Sequence, residues 1–323
     1  MKAIYFERTG KAEAVLGYTQ AWPEPVCGDD GVVVKVMARV VNPADHLFIN
    51  GNYRVKPALP AVAGLEGAGL ILEKGKGVTG VEVGDRVAFR HPGTWAEKIT
   101  VPSAKLIKVK AALSWVDAAQ LALNPLTAYA LVTEANIGKE GYLLMNAADS
   151  ALGKLVIQLA RMRNIRVIAL VRSNTQGDAL KALGANVVLV AGEEGLNDRI
   201  MDCTNGKGVN AYLDAVGGSI VNELIPVMAV HSKLIVYGLL AGDSLCLTSR
   251  DIIFKNLSIA GFGIDKWMLD QGTEKLDAVY EWLQDRIIEG ELVIPESRVI
   301  SLEDYVPQLR EGNLLHGYKS VLM

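Results

Sequence analysis

The chain has 323 residues, which is more than one hydrophobic core usually supports, so two domains are expected. Of these residues 50% are hydrophobic and 21% charged, a composition typical of a globular enzyme. Its net charge of -3 provides no general field for gathering phosphates, which argues against nucleic acid as the main partner. No run approaches the ~20 apolar residues of a membrane span, and the opening residues lack the apolar core of a secretory signal, so we predict a cytoplasmic protein.

The first part of the chain predicts a barrel-like or sandwich β domain. It contains short alternating runs, such as 31–39 and 69–73, separated by turn signals rich in Gly, Pro and Asp. The spacing becomes helical from Ser114, a candidate N-cap with Asp117 three residues later. Near the end, a helix is predicted over 274–289, followed by a short segment that could return to the first domain.

Strands and helices alternate in the middle of the chain. The predicted strands are 142–146, 166–171, 187–190, 208–214, 233–237 and 256–260, and two of the predicted helices are 152–163 and 176–183. Near-continuous apolar strands between helices predict a doubly wound parallel sheet of the Rossmann type. We therefore predict an α/β protein, with a Rossmann domain over 121–265 and a mostly β catalytic domain over 1–120 and 266–323.

The first strand-to-helix turn of that alternation, NAADSALG at 146–153, is a candidate pyrophosphate site. Small residues there let backbone N–H groups and the helix dipole meet phosphates. The glycine positions of GxGxxG hold Ala148, Ser150 and Gly153, so the motif alone is weak, and a plain strand-turn-helix stays open as the alternative.

The end of the second strand predicts the cofactor. An acid there would bind the adenosine ribose 2′-hydroxyl and repel a 2′-phosphate, but the strand continues into Arg172 and Ser173. A guanidinium and a hydroxyl suit the phosphate of NADPH. The alternative is that Arg172 is only a solvated surface charge.

Several motifs in a fixed order resemble the medium-chain dehydrogenase/reductase superfamily, in its zinc-independent branch of quinone oxidoreductases and 2-enoyl thioester reductases. The motifs are NPAD (42–45), GNY (51–53), LP (59–60), GLEGAG (64–69), VGDRV (83–87), GTWAE (93–97), NPLTAY (124–129), the turn at 146–153 and DAVGG (214–218). The resemblance implies that the mostly β domain is GroES-like.

The resemblance also implies an enzyme without zinc. Zinc-dependent relatives have Cys and His where this chain has Asn42 and Leu65, and neither replacement is a competent zinc ligand. The cysteines lack CxxC pairing and are predicted to be free, buried thiols: Cys27, Cys203 and Cys246. The histidines show no metal-ligand spacing: His46, His91, His231 and His316. We therefore predict no bound metal.

Hydride addition to a carbon–carbon double bond conjugated with a carbonyl needs no metal. It needs orientation, stabilisation of the enolate oxygen and a proton. The resemblance places a phenol at Tyr53 as the candidate proton donor and the amide of Asn42 beside the nicotinamide or the substrate. A packed surface aromatic and a turn residue before Pro43 are the respective alternatives, and Glu66 is interpreted as a structural brace.

The resemblance assigns further contacts. Tyr129 and Trp267 are predicted to join Tyr53 in the substrate pocket. The alternative is core packing for Tyr129 and an interface or core anchor for Trp267. The predicted cofactor contacts are Asn42, Thr127, Ser150, Ala151, Leu152, Gly153, Arg172, Ser173, Gly217, Tyr237, Gly238, Phe262 and Lys319.

Substrate and assembly follow from the same resemblance. The segment 254–267 favours an enoyl thioester of coenzyme A or an acyl carrier protein, whereas GAG after Glu66 is more like the quinone reductases. A quinone is therefore the alternative substrate, and a non-catalytic or RNA-associated NADPH-binding protein is the alternative of another class.

The strand at 256–260 falls where relatives pair their sheets, which predicts a homodimer.

Overall fold

The computed structural model describes residues 1–242, 244–245, 247–314 and 318–323. Contacts divide the chain into two compact units, one formed by 1–124 with 277–323 and the other by 125–276. Cys27 and Cys203 are free thiols, both half-buried rather than fully buried. Cys246 and His316, about which the sequence made predictions, lie outside the described residues.

The amino-terminal part of the first unit contains more strand than helix. Its strands are β1 (Ala3–Phe6), β2 (Gly17–Thr19), β3 (Gly31–Val40), β4 (Ala61–Val62), β5 (Glu66–Lys74), β6 (Arg86–Arg90), β7 (Lys98–Pro102) and β8 (Leu106–Lys108). Its helices are α1 (Ala12–Val15), α2 (Pro43–Ile49) and α3 (Trp115–Gln120). Ser114 caps α3 as predicted, because its side chain accepts a hydrogen bond from the backbone N–H of Asp117.

The second unit alternates strands and helices. The elements are α4 (Asn124–Ala135), β9 (Tyr142–Met145), α5 (Ala151–Met162), β10 (Arg166–Val171), α6 (Gly177–Leu183), β11 (Val187–Val190), α7 (Leu196–Cys203), β12 (Val209–Asp214), α8 (Ser219–Leu224), β13 (Met228–Val236), α9 (Ser249–Lys255), β14 (Ser258–Gly261) and α10 (Ile264–Gln271). The predicted domain boundary at 265/266 falls inside α10, and the contacts keep that helix with the second unit.

The strands of the second unit form one parallel sheet in the order β11-β10-β9-β12-β13-β14. The strand order reverses between β9 and β12, which makes the carboxyl ends of these two strands the switch point where such sheets bind ligands. Strands β9 and β10 are buried almost throughout, as expected for a sheet covered on both faces. The prediction of a doubly wound Rossmann fold is confirmed.

The chain then returns to the first unit. It forms α11 (Thr273–Ile288), β15 (Ser297–Ile300), α12 (Tyr305–Arg310) and β16 (Lys319–Leu322). Strand β16 pairs in antiparallel fashion with β3, within a sheet ordered β15-β16-β3-β5-β6-β8 that also carries β7 on β3. A smaller sheet has the order β2-β1-β4. The GroES-like β domain implied by the resemblance is confirmed.

Arg39 ties the returning segment to the first unit. The side chain is buried in β3, and its guanidinium donates to the backbone oxygens of Val36, Thr94, Ala96 and Leu322 at 2.7 to 3.4 Å. Burial lowers the pKa of Arg39 to about 10. The bond to Leu322 joins β16, the strand that begins with Lys319, to β3 in addition to the backbone pairing of the two strands. In the described ranges, no helix combines the length and apolar character needed to cross a membrane.

Candidate functional site

In the turn between β9 and α5, the first turn of the helix packs closely against the backbone that follows the strand. Ser150 caps α5, and its hydroxyl accepts a hydrogen bond from the N–H of Gly153 at 3.0 Å. A Cβ on Gly153 would lie 2.6 Å from the Ala148 oxygen and 2.7 Å from the Ala147 oxygen, so only glycine fits there. Ala151 and Leu152, both half-buried, complete the first turn of the helix. The free N–H groups of this turn therefore lie at the switch point, where an anion is stabilised.

A buried polar network joins this turn to the next strand. The Asn146 amide donates to the Asp214 carboxylate at 2.5 Å and accepts from the N–H of Ala215 at 2.7 Å. The Asp214 carboxylate also accepts from the N–H of Gly217 at 3.0 Å. Gly217 and Gly218 both adopt left-handed φ values of 73°, which favour glycine. The network therefore shapes the loop after β12 and places Gly217 at the end of β12, the strand adjacent to β9.

Tyr237, Gly238 and Phe262 follow β13 and β14 at the same edge of the sheet. A Cβ on Gly238 would lie 2.4 Å from the Ala215 oxygen, so the two loops approach closely. The Tyr237 hydroxyl is buried and has no hydrogen-bond partner among the described residues, and burial raises the pKa of Tyr237. The N–H of Phe262 donates to the Val236 oxygen at 2.8 Å. The loops at Gly217 and Gly238 and the buried, unpartnered hydroxyl of Tyr237 lie at one edge of the sheet, and this arrangement fits the predicted dinucleotide.

Arg172 and Ser173 are exposed at the end of β10, the neighbour of β9 on its other side. The Ser173 hydroxyl lies 3.2 Å from the Thr175 hydroxyl, and the segment 172–176 contains no carboxylate. Since the adenosine ribose lies beside the second strand in such folds, the position of Arg172 fits a 2′-phosphate.

Thr127 is buried in α4, and Tyr129 and Trp267 contact each other edge to face, with ring centroids 6.4 Å apart. The Arg163 guanidinium lies 4.8 Å from the Tyr129 ring centre, and the Trp267 indole N–H donates to Glu134 at 3.2 Å. Arg163 is the C-cap of α5, roughly 18 Å along that helix from the nucleotide turn. The structure thus brings Tyr129 and Trp267 together but links them to the far end of α5, which favours the core-packing alternative for both.

In the first unit, Asn42 lies at the amino end of α2 and is held by two carboxylates. Its backbone N–H donates to Asp45 at 2.5 Å, and its side-chain amide donates to Glu66 Oε2 at 2.8 Å. The other oxygen of Glu66 accepts from the N–H of Leu123 at 2.8 Å. Asn42, Asp45 and Glu66 are all buried. The brace predicted for Glu66 therefore has Asn42 as its direct partner.

Two buried carboxyl groups contact Asn42, and the charge of the half-buried Lys319 acts on both of them. Desolvation raises the pKa of Asp45 to about 8, with the N–H of Asn42 acting in the opposite direction. Desolvation also raises the pKa of Glu66, opposed first by the charge of Lys319. The pKa of Lys319 is lowered by desolvation and raised by Glu66 and Asp45. The charge of Lys319 therefore acts on the carboxyl groups of both Glu66 and Asp45. The position of Lys319 in the sequence did not predict this interaction.

Asp45 was not recognised as a buried site residue in the sequence. The available signal was its position three residues after Asn42, the spacing of a capping box. The structure contains the Asp45 half of such a box, in which the Asp45 carboxylate accepts from the backbone N–H of Asn42. That spacing predicts a helix start but contains no information about burial.

Tyr53 lies in the loop after α2. Its backbone N–H donates to the Leu47 oxygen at 2.9 Å, and its half-buried ring packs against the core cluster that contains Phe48 and Ile49. The Arg54 guanidinium lies 5.5 Å from the ring centre. The Tyr53 ring therefore contacts both apolar side chains of the core cluster and a cation.

The positions that hold zinc ligands in zinc-dependent relatives have other chemistry here. The NH₂ end of the Asn42 amide is bonded to Glu66, and Leu65 packs against the same core cluster as Tyr53. Within the part of the chain that the structure describes, no three His, Cys, Asp or Glu side chains are grouped to hold a metal ion.

Family models match two parts of the chain. The model of the alcohol dehydrogenase GroES-like domain matches residues 28–111, and that of the zinc-binding dehydrogenase matches 151–283. The chain is 32% identical over 286 residues to a mitochondrial enoyl-[acyl-carrier-protein] reductase of Bos taurus, covering 86% of this chain and 77% of that protein. It is 33% identical over 288 residues to the protein of the same name from Caenorhabditis elegans, covering 87% and 82%.

Solved structures show a likeness over the whole chain. A quinone oxidoreductase of Pseudomonas syringae is 26% identical with a TM-score of 0.88, covering 100% of this chain and 99% of that chain. A mycobacterial protein solved in complex with NADPH is 26% identical with a TM-score of 0.87, covering 100% of both chains.

Proposed function

Because the chain belongs to the medium-chain dehydrogenase/reductase superfamily, in the branch of quinone and enoyl reductases, we propose that it is an NADPH-dependent, zinc-independent oxidoreductase that reduces a conjugated acceptor. The observation that carries the proposal is the nucleotide turn at the switch point of the Rossmann sheet, beside strand β10, which is followed by Arg172 and by no acid over 172–176.

Bound NADPH would supply the hydride, and this chain's residues would bind and orient it. The first turn of α5, with Ser150, Ala151, Leu152 and Gly153, would bind the pyrophosphate. Arg172 and Ser173 would bind the 2′-phosphate. The remaining proposed cofactor contacts, grouped by unit, are Thr127, Gly217, Tyr237, Gly238 and Phe262 in the second unit and Asn42 and Lys319 in the first.

Zinc independence is supported by donor chemistry. The Asn42 amide already donates to Glu66, and an aliphatic Leu65 cannot bind a metal. Without such a Lewis acid, an alcohol proton cannot be made labile in the zinc-dependent way, whereas reduction of a conjugated double bond has no such requirement.

We propose a 2-enoyl thioester as the substrate. The support is the name shared by the relatives at 32% and 33% identity, together with the segment 254–267. The alternative, a quinone, is supported by the name of the Pseudomonas syringae structure at 26% identity.

The test is NADPH oxidation with crotonyl-CoA and with a simple quinone as acceptors. We expect kcat/KM for the thioester to exceed that for the quinone by about tenfold or more, because the two substrates differ in transition-state binding. Fast quinone turnover with negligible thioester turnover would overturn the substrate assignment. NADPH binding without oxidation of any acceptor would instead favour a non-catalytic protein.

Replacing Arg172 with Ala should weaken NADPH binding about 10- to 100-fold, because charge-assisted hydrogen bonds to the 2′-phosphate are lost. NADH, which lacks that phosphate, provides the internal control, and its affinity should stay unchanged. Fluorescence titration of both nucleotides measures the effect, and equal losses for the two would contradict the assigned contact.

We also propose a homodimer formed through β14, the last strand in the order of the Rossmann sheet. Ile253, Phe254 and Ile259 expose 69%, 76% and 39% of their surface on and beside this strand. An exposed apolar sheet edge is a template for pairing. The predicted cytoplasmic location and the lack of a nucleic-acid partner stay predictions, and the names of the relatives place those proteins in mitochondria.

Replacing Ile259 with Lys should convert the dimer to a monomer, because a charge on the paired edge disfavours strand addition. Light scattering measures the mass in solution. The matched control is Val83→Lys, at a position 58% exposed in the first unit, which should leave the mass unchanged. A wild-type protein of monomeric mass would refute the dimer.

A further inference from the structure

The Glu66 carboxylate accepts hydrogen bonds from a side-chain amide, which can rotate, and from a backbone N–H, which cannot. Oε2 accepts from the side-chain amide of Asn42, and Oε1 accepts from the backbone N–H of Leu123, both at 2.8 Å. A backbone N–H can only donate, whereas a side-chain amide can present either its NH₂ or its oxygen after rotation by half a turn. The orientation of Asn42 is therefore open to control by its partner.

An ionised carboxylate is an acceptor only, so it selects the NH₂ end of the amide. Both oxygens of Glu66 face N–H donors, and the charges of Lys319 and Arg90 act on this carboxyl from β16 and β6. Asp45, on α2, is the other acidic group beside Asn42. Both oxygens accept hydrogen bonds, which is the geometry of an ionised carboxylate with the Asn42 oxygen turned away from it. The charges of Lys319 and Arg90 support this form against desolvation, which raises the pKa of Glu66.

We propose that Glu66 is a positioning residue that sets which end of the Asn42 amide faces away from the Glu66 carboxylate and is thereby available to the cofactor or the substrate. The inference rests on the proposed function in one respect, namely that Asn42 contacts the cofactor or the substrate. Glu66 itself touches neither, and acts through Asn42.

The exchange of Glu66 for Gln tests whether the residue at position 66 sets the orientation of the Asn42 amide. The Gln oxygen stays with the N–H of Leu123, because that donor cannot turn. The Gln NH₂ group then faces the NH₂ group of Asn42, and the Asn42 amide must flip to restore a hydrogen bond. E66Q is nearly isosteric, yet it inverts the polarity that Asn42 presents.

The exchange of Asn42 for Asp supplies the complementary change. In N42D alone, a second carboxylate faces Glu66 at hydrogen-bond distance, which is repulsive. In the double variant E66Q/N42D, one Asp oxygen accepts from the Gln NH₂ group and the other takes the place of the Asn42 oxygen. The charge of the pair is the same as in the wild type, with the carboxylate moved from position 66 to position 42.

The experiment compares the wild type, E66Q, N42D and E66Q/N42D by kcat, KM, NADPH affinity and thermal unfolding. Each single variant should lower kcat/KM on the order of 100-fold, because a misoriented contact near the reacting atoms has effects of this size. The double variant should recover to within about tenfold of the wild type. Losses in the double variant that equal or exceed the larger single loss would overturn the proposal.

Failure of the proposed function can be distinguished from failure of this inference. If the wild type oxidises no NADPH with any acceptor, the unfolding temperatures of the same four proteins still test the pair. Recovery of stability in E66Q/N42D above both single variants supports the pairing, and additive losses contradict it. Thermal unfolding also shows whether a variant lost activity because it failed to fold.

Discussion

Replacing Tyr53 with Phe should lower kcat for enoyl reduction by about 100-fold or more while leaving NADPH affinity nearly unchanged. Reduction of the double bond adds the hydride to the β-carbon and requires a proton at the α-carbon as the enolate collapses. The Tyr53 phenol can donate that proton and regain one from solvent. The aromatic ring keeps its packing in the variant, because Phe retains the contacts with the core cluster.

Steady-state kinetics with crotonyl-CoA and NADPH fluorescence titration measure the two effects separately. The matched control is Tyr18→Phe, which removes another half-buried hydroxyl of the first unit, one that donates to Glu303 at 3.5 Å. The control should retain wild-type turnover. Unchanged kcat in Tyr53→Phe would remove Tyr53 from the mechanism and leave it as a packed aromatic.

Stability should fall as the pH rises from 5 to 7, and replacing Asp45 with Asn should remove most of this dependence. Burial raises the pKa of Asp45 from 3.8 to about 8. Between these values the folded protein keeps the proton and the unfolded chain releases it, so each pH unit costs about 1.4 kcal/mol of stability. The stabilising effect is fully present below about pH 4 and is lost progressively toward pH 8. Over two units, the wild type should lose about 2 to 3 kcal/mol more than Asp45→Asn.

Urea unfolding at pH 5, 6 and 7 measures this difference. The matched control is Asp117→Asn, since Asp117 also lies three residues after its N-cap but makes an exposed hydrogen bond, with Ser114. The control should keep the wild-type slope with pH. Parallel pH profiles for the wild type and Asp45→Asn would show that the buried carboxyl is not protonated in the folded protein.

Much of the second unit could be predicted from local patterns. Apolar runs between helical segments predict a parallel sheet, and the turn at 146–153 carries its own steric signal in Gly153, whose Cβ would collide with two backbone oxygens. The proposed role of Arg172 follows from the same kind of pattern, because the residue that follows the second strand of such a sheet lies beside the adenosine ribose. Such features depend on a few consecutive residues.

The contacts of Tyr129 and Trp267 could not be predicted in this way. Helical spacing shows that a side chain lies on one face of a helix, but not which end of a neighbouring helix it meets. The Arg163 contact, at the end of α5 away from the turn, is a consequence of helix packing.

The sequence by itself determined that positions 42 and 65 hold Asn and Leu, which are not competent zinc ligands. It also predicted the nucleotide turn and the basic residue that follows β10, because these features depend on residue type and local spacing. Only the tertiary structure decided that Asn42 is held by Glu66, 24 residues away, and that Lys319 supplies charge to Glu66 and Asp45. The physical reason is topology. The antiparallel pairing of β16 with β3 places the end of the chain beside its beginning, and the burial that follows shifts the pKa values of groups whose sequence positions show nothing unusual.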